Sequence, residues 1–238
     1  NGSTAIGIVN VISGGKFDSS NEFLNGRVEA VGGTTAATAT GTVNVESEGT
    51  FISSDGFNNG NVYANGGTAT ATGTVNVGSG AKFNNFDGFS NGSASASGDG
   101  TATATGTVNV KNGGKFNNSG ELYNGNAYAD SGTATATATG TVDIESGGEF
   151  NNLGSIENAI TNAINGGTAT ATGTINNAGT FNNTGNLIGG TVNNNDGGVF
   201  NQQAGKAIGV SGREVTFNNS GTFNIGYGNP APAPATPI

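Results

Sequence analysis

The chain has no cysteine, histidine, methionine or tryptophan in its 238 residues. Without cysteine there are no disulfides and no thiolate metal sites, and the absence says little about compartment. Without cysteine and histidine the common nucleophile–base pairs are also missing. Charge is scarce: 10% of residues are charged, seven basic against sixteen acidic, for a formal net charge of −9. So acidic a chain is a poor partner for nucleic acid or an anionic membrane surface, and neither is expected to bind it. No apolar run approaches the roughly 20 residues needed to span a bilayer, so membrane insertion is not expected. Proline is confined to the C-terminal tail, at Pro230, Pro232, Pro234 and Pro237. The first residue is Asn1 rather than Met, as expected if a secretion leader has been removed.

What is present is glycine, 45 residues of it, and a repeat. Aligning on the glycine before Thr-Val-Asn-Val gives Gly7, Gly41, Gly73, Gly106, Gly140 and Gly173, at intervals of 34, 32, 33, 34 and 33. A phenylalanine follows each of the first five glycines by ten residues, at Phe17, Phe51, Phe83, Phe116 and Phe150; after Gly173 the gap shortens to eight, at Phe181. Beyond residue 173 the units start at Thr174, Thr191 and Thr216, keep Phe181, Phe200 and Phe223 at one position, and lack the Thr-Ala tract. A long unit is therefore a short unit, "TVNVKNGGKFNNSGELYNG", plus an added segment, "NAYADSGTATATATG".

Within the tract the alternation has period two, the strand signature. Ala69, Ala71, Gly73, Val75 and Val77 share one face, and the valines mark it as the inward one. Thr68, Thr70, Thr72, Thr74 and Asn76 share the other. One unit cannot bury its inward face alone; stacking like units gives every strand a neighbour in register. The expected fold is all-β, a single β-solenoid of about five 33-residue coils followed by two to three shorter ones. Residues 1–172 form the long coils, 173–228 the short coils, and 229–238 an extended Pro/Ala tail. Inward columns should include Val43/Val75/Val108/Val142 and Phe51/Phe83/Phe116/Phe150, with an asparagine column at Asn85, Asn118, Asn152 and Asn183. The cross-section should be a teardrop, wide where Val, Phe and Leu fill it and thin where alanines meet. Whether one unit makes one coil or two is left open by the spacing. One coil per unit gives a rod about 35 Å long at ~4.8 Å per strand.

The segments "GTFNNTGNL", "GTVNVKNGGKFNNSG" and "FNNSGTFNIG" resemble the repeats of large secreted bacterial β-helix proteins, the filamentous-haemagglutinin-type adhesins and autotransporter passengers. The likeness covers nearly the whole chain. The 33-residue unit with its Thr-Ala arm departs from the shorter coil of that class. The resemblance implies a right-handed β-helix, secretion to the cell surface or beyond it, and an adhesive or scaffold role; it transfers no catalytic residue.

No cluster of carboxylates with Lys or Arg stands out, so the chain is not expected to be an enzyme, and no metal or cofactor is expected. Lys111/Glu145 and Lys115/Glu149 fall at equivalent positions one coil apart and should meet as surface pairs. Exposed solenoid ends invite head-to-tail stacking, a heterologous contact that does not close and so yields a filament. The first expectation is thus a structural subunit of an extracellular filament whose partner is itself. Ile6, Ile8, Val9, Phe217, Phe223 and Tyr227 are candidate assembly residues. Pro230, Pro232, Pro234 and Pro237 would hold the tail extended as a clasp on the neighbour. The second is a surface adhesin that contacts glycans through Tyr63, Tyr123, Tyr128 or Tyr227. The third is ice binding by a flat threonine face made of Thr68, Thr70, Thr72, Thr101, Thr103, Thr105, Thr168, Thr170 and Thr172.

Overall fold

The structure, a computed structural model, describes residues 3–33 and 35–226. Among them there are only strands, stacked in parallel into four ribbons that wind as a β-solenoid. Each long unit is one turn: Ala69 pairs with Ala102, Gly73 with Gly106 and Val75 with Val108, one unit apart in sequence. The first six turns begin with a strand of nine or ten residues, such as Thr68–Val77 or Thr101–Val110, whose alternation in these two places Thr outward and Ala, Gly or Val inward. A second strand (Lys82–Asn85, Lys115–Asn118) carries the conserved-position phenylalanine of the repeat. A third, short strand (Phe89–Asn91, Leu122–Asn124) and a fourth (Ala94–Ser97, Ala127–Asp130) complete the circuit. We call the four ribbons the long, base, short and arm sheets; they contain eight, eight, six and five strands.

The turn encloses two separate cores. One is wide and filled by Val, Phe, Leu and Ile from the long, base and short sheets. The other is thin and filled almost entirely by alanines such as Ala69, Ala71, Ala96, Ala102, Ala104 and Ala129, from the long and arm sheets. In the wide core Phe51, Phe83, Phe116, Phe150, Phe181 and Phe200 stack in one column, with neighbouring rings 4.6–5.1 Å apart and within 6° of parallel. A second column, Phe23, Phe57, Phe89, Leu122, Ile156 and Leu187, lies edge-on to the first. Offset and edge-on rings are the arrangements that the aromatic quadrupole favours.

A neck of backbone divides the two cores. The repeat glycine of the long strand meets the Asn-Gly turn that links the short and arm sheets. A Cβ on Gly106 would collide with the Gly92 nitrogen and Asn91 Oδ1, and would lie 2.6 Å from the Asn91 carbonyl carbon. On the other side of the neck Gly92 has φ +70° and is crowded by the Thr139 carbonyl, so both space and conformation demand glycine there. The neck asparagines lock the contact: Asn91 Nδ2 donates to Asn124 Oδ1 at 2.7 Å and to the Thr141 carbonyl at 3.0 Å.

A further asparagine ladder runs through the buried corner of the base sheet. Asn85 donates to Asn118 (2.8 Å), Asn118 to Asn152 (2.9 Å), Asn152 to Asn183 (3.0 Å) and Asn183 to Gln202 (2.9 Å). Every donor points to the following turn, so the first acceptor depends on the turn before it. That position is Ser53, whose hydroxyl donates to the Asp55 carbonyl instead, and Asn85 Oδ1 is left without a partner. Asn177 Oδ1 is bare for the same reason, because Ile144 precedes it in its column.

After the sixth long strand, Thr168–Asn177, the arm ends. Of that strand, only residues 174–177, on the wide side of the neck, are paired by the next one, Thr191–Asn194. The chain reaches it through Gly189 and Gly190, at φ +73° and +70°, which replace the outward excursion of the arm by a tight turn beside Asn158 and Gly173. The Thr168–Thr172 stretch is thereby left as an uncovered ledge.

Candidate functional site

The candidate surfaces of such a rod are its two ends, the outward face of the long sheet and the side where the arm sheet meets the short sheet. At the first turn no strand among the described residues pairs with the outer edge of Ser3–Val11 or Lys16–Ser19. Val9, Phe17 and Phe23 point into the wide core and are only partly buried, and Phe17 stacks on Phe51 at 4.9 Å. Ile6 and Ile8 point the other way. They occupy the outward positions that Thr40 and Thr42 hold one turn later, and are 73% and 63% exposed. At the far end Thr216–Asn219 and Thr222–Ile225 present an unpaired edge among the described residues. Phe217 and Phe223 sit half-buried over the last turn, ring centroids 4.7 Å apart. Tyr227, Pro230, Pro232, Pro234 and Pro237 lie outside the described residues.

An outer asparagine ladder along the long sheet gives these ends a polarity. Asn44 donates to Asn10, Asn76 to Asn44, Asn109 to Asn76, Asn193 to Asn176 and Asn218 to Asn193, at 2.8 Å throughout. One end therefore offers the free Nδ2 of Asn10 and the other the free Oδ1 of Asn218.

The outward face of the long sheet is a lattice of threonine. Thr68, Thr70, Thr72, Thr168, Thr170 and Thr172 are exposed, while Thr101, Thr103 and Thr105 are half-buried. Of the surface pairs expected from the repeat, Lys115–Glu149 forms at 2.8 Å. Burial pushes the Glu149 carboxyl up, but its hydrogen bonds to Lys115 and Asn151 outweigh this and hold it below its ordinary range. Lys111 and Glu145 are both exposed at the corner after the long strand and make no ion pair. Attraction between solvated side chains is too weak to hold them together.

The concave side carries a groove of about 530 Å³ running along the rod axis between the short and arm sheets. Its lining takes in the outward Asn58, Asn61, Tyr63, Ser95, Tyr128 and Asn162 and, beneath them, the buried Val62, Ala94, Ala127 and Ile160. Glu22 and Arg27 stand at one end, Glu157 and Arg213 at the other. Tyr63 and Tyr128 share one outward column with Ser95 between them, two rungs apart, or about 10 Å. Tyr123 is not part of the lining: its hydroxyl donates to Glu121, and this bond, with burial, raises its pKa to about 12. The sequence names the two groove tyrosines but not the two arginines. The signal for them is the loss of repetition at these positions, visible only once the turns are aligned through the neck. Among the described residues no group of three or more His, Asp or Glu side chains is placed to hold a metal ion.

No protein-family model matches the chain, and no curated protein matches it. Among solved structures it is similar to the crystal structure of a hyper-glycosylated TibA fragment produced by TibC catalysis, at 19% identity over 94% of this chain and 99% of that one, with a TM-score of 0.16. At that score the two backbones do not superimpose, and the β-solenoid assignment rests on this chain's own strand pairing.

Proposed function

We propose that the protein is a non-catalytic structural subunit of an extracellular or cell-surface filament, polymerising head to tail through the two ends of the solenoid. The observation that carries this reading is the complementarity of those ends. Continuing the long-sheet register places Thr216 of one subunit opposite Ile8 of the next, Phe217 opposite Val9 and Asn218 opposite Asn10. The free Nδ2 of Asn10 then meets the free Oδ1 of Asn218, with the polarity the ladder has inside each subunit. In the base sheet Phe223 falls on Phe17, which extends the phenylalanine column across the joint. Asp18 alone meets an acceptor, the Oδ1 of Asn224. Half-buried rings and unpaired edges are covered together, and burial of apolar surface supplies the driving force.

Such a joint stacks wide core on wide core and leaves the arms apart, because the last three turns have no arm strand. The tail of residues 229–238 is the proposed occupant of that space. Its prolines lack the N–H, so alternate residues cannot donate to a sheet, and its alanines match the thin core.

A pair of end-blocking variants tests the contact. Phe17→Lys and Phe223→Lys each disable one end, so each alone is expected to stay monomeric in sedimentation velocity. Mixed in equal amounts, they retain one good head and one good tail and are expected to form a dimer and stop. Polymers from either variant alone, or no association in the mixture of two folded variants, would contradict the reading.

A further inference from the structure

The groove departs from the rule that governs the rest of the surface. On the threonine face the same residue returns turn after turn: Thr70, Thr103, Thr137 and Thr170 form one column. Along the groove no outward column repeats. The arm-sheet column reads Glu29, Tyr63, Ser95, Tyr128, Asn162, and the short-sheet column reads Leu24, Asn58, Ser90, Tyr123, Glu157. Stacking alone rewards identity, because like side chains ladder best. Individual side chains at successive rungs are what a surface needs to read a partner lying along the axis. The chain has two arginines, Arg27 and Arg213, and both line this groove, at opposite ends. Neither makes an ion pair among the described residues.

We propose that this groove binds a neutral, linear glycan laid parallel to the rod axis. Tyrosines suit a ligand that is apolar on one face and polar at its edges: the ring packs on C–H groups and the hydroxyl stays wet. Tyr63 and Tyr128, two rungs apart, offer two such platforms in line. Between and around them Asn58, Asn61, Ser95 and Asn162 present amides and hydroxyls, groups that both donate and accept, as sugar hydroxyls do. Beneath these groups Val62, Ala94, Ala127 and Ile160 are buried and apolar, so no charged side chain lies under the ligand. A polyanion fits less well, because Glu22 and Glu157 balance the two arginines within the groove and the chain as a whole carries −9. A peptide added as a strand is excluded by geometry, since the groove exposes faces of sheets and not their edges. The site belongs to a single subunit and does not depend on polymerisation. In a filament the grooves would repeat along the fibre, and several would engage one long chain with the gain that multivalency brings.

Calorimetric titration of the full chain with hexasaccharides of cellulose, xylan and chitin, and with oligogalacturonate as the charged comparison, tests the proposal. At least one neutral hexasaccharide is expected to bind. Tyr63→Ser and Tyr128→Ser together are expected to weaken it by about tenfold or more. Serine already occupies the intervening position at Ser95, so the double variant should keep its circular dichroism and melting temperature. Arg213→Gln is expected to weaken the same ligand, while Thr103→Lys, on the opposite face, leaves affinity unchanged. Binding of none of the neutral probes, undiminished binding by the folded double variant, or binding of oligogalacturonate alone would overturn the proposal.

Discussion

Gly106→Ala is expected to destabilise the protein by about 3 kcal/mol or more, the upper part of the range for overpacking. The added methyl group has nowhere to go. Its neighbours at the neck are the Gly92 backbone nitrogen, the Asn91 carbonyl carbon and Asn91 Oδ1, none of them the free end of a flexible side chain. Moving Asn91 away would break its bonds to Asn124 and Thr141 as well. Gly106 does not have positive φ, so the cost is one of space and not of backbone conformation. The matched control is Gly7→Ala at the same repeat position of the first turn, where a Cβ would meet nothing within 4 Å. That change is expected to be neutral or to stabilise by about 0.4–1 kcal/mol through the unfolded chain. Denaturant unfolding of the two variants side by side decides the matter. Similar midpoints for both would mean that the neck is not the tight contact described.

Phe116→Ala is the second large effect, expected to cost about 3–5 kcal/mol. Its ring is fully buried, stacks on Phe83 and Phe150 at 4.6 Å on either side, and meets Phe89 edge-on at 5.1 Å. In a solenoid each turn contacts only its neighbours, so a void in the middle weakens the coupling between the two halves of the rod. Hydrogen exchange should therefore show lost protection in the base sheet at Lys82–Asn85, Lys115–Asn118 and Glu149–Asn152 before the outer turns. The same truncation at Phe17, half-buried with a stacked partner on one side only, should cost the isolated chain much less. Equal losses at both positions would argue against a column whose ends differ from its middle.

The strand register of the long sheet was legible because its alternation is strict and its period nearly constant: Val75 over Val108 and Phe83 over Phe116 follow from counting. The separation of inward alanines from outward threonines followed from the position of Val75 and Val77 on one face. The neck was not legible. Gly73 and Gly106 stood out as markers of the repeat, but the reason for glycine there lies in a turn some fifteen residues upstream, Asn59-Gly60 or Asn91-Gly92, and no local pattern connects the two. For the same reason the teardrop could be anticipated but not its division into two cores. The second apolar column was hidden because its occupant changes from Phe89 to Leu122 to Ile156, keeping volume but not identity. The groove was hidden by the reverse of repetition: a search for what recurs passes over Arg27 and Arg213, which occur once each. The ion pairs divided by burial. Lys115–Glu149 forms where Glu149 is partly covered and Asn151 supports it, and Lys111–Glu145 does not form at an open corner.

The proposed filament requires end-to-end stacking of like turns. The most direct measurement is electron cryo-microscopy of the purified chain allowed to assemble. Eight rungs per subunit at ~4.8 Å predict an unbranched fibre with strands perpendicular to its axis and an axial subunit repeat of about 38 Å, Phe223 stacked on Phe17 of the next subunit. Single particles that stay monomeric as concentration rises, or assemblies joined side to side through the threonine face, would contradict it.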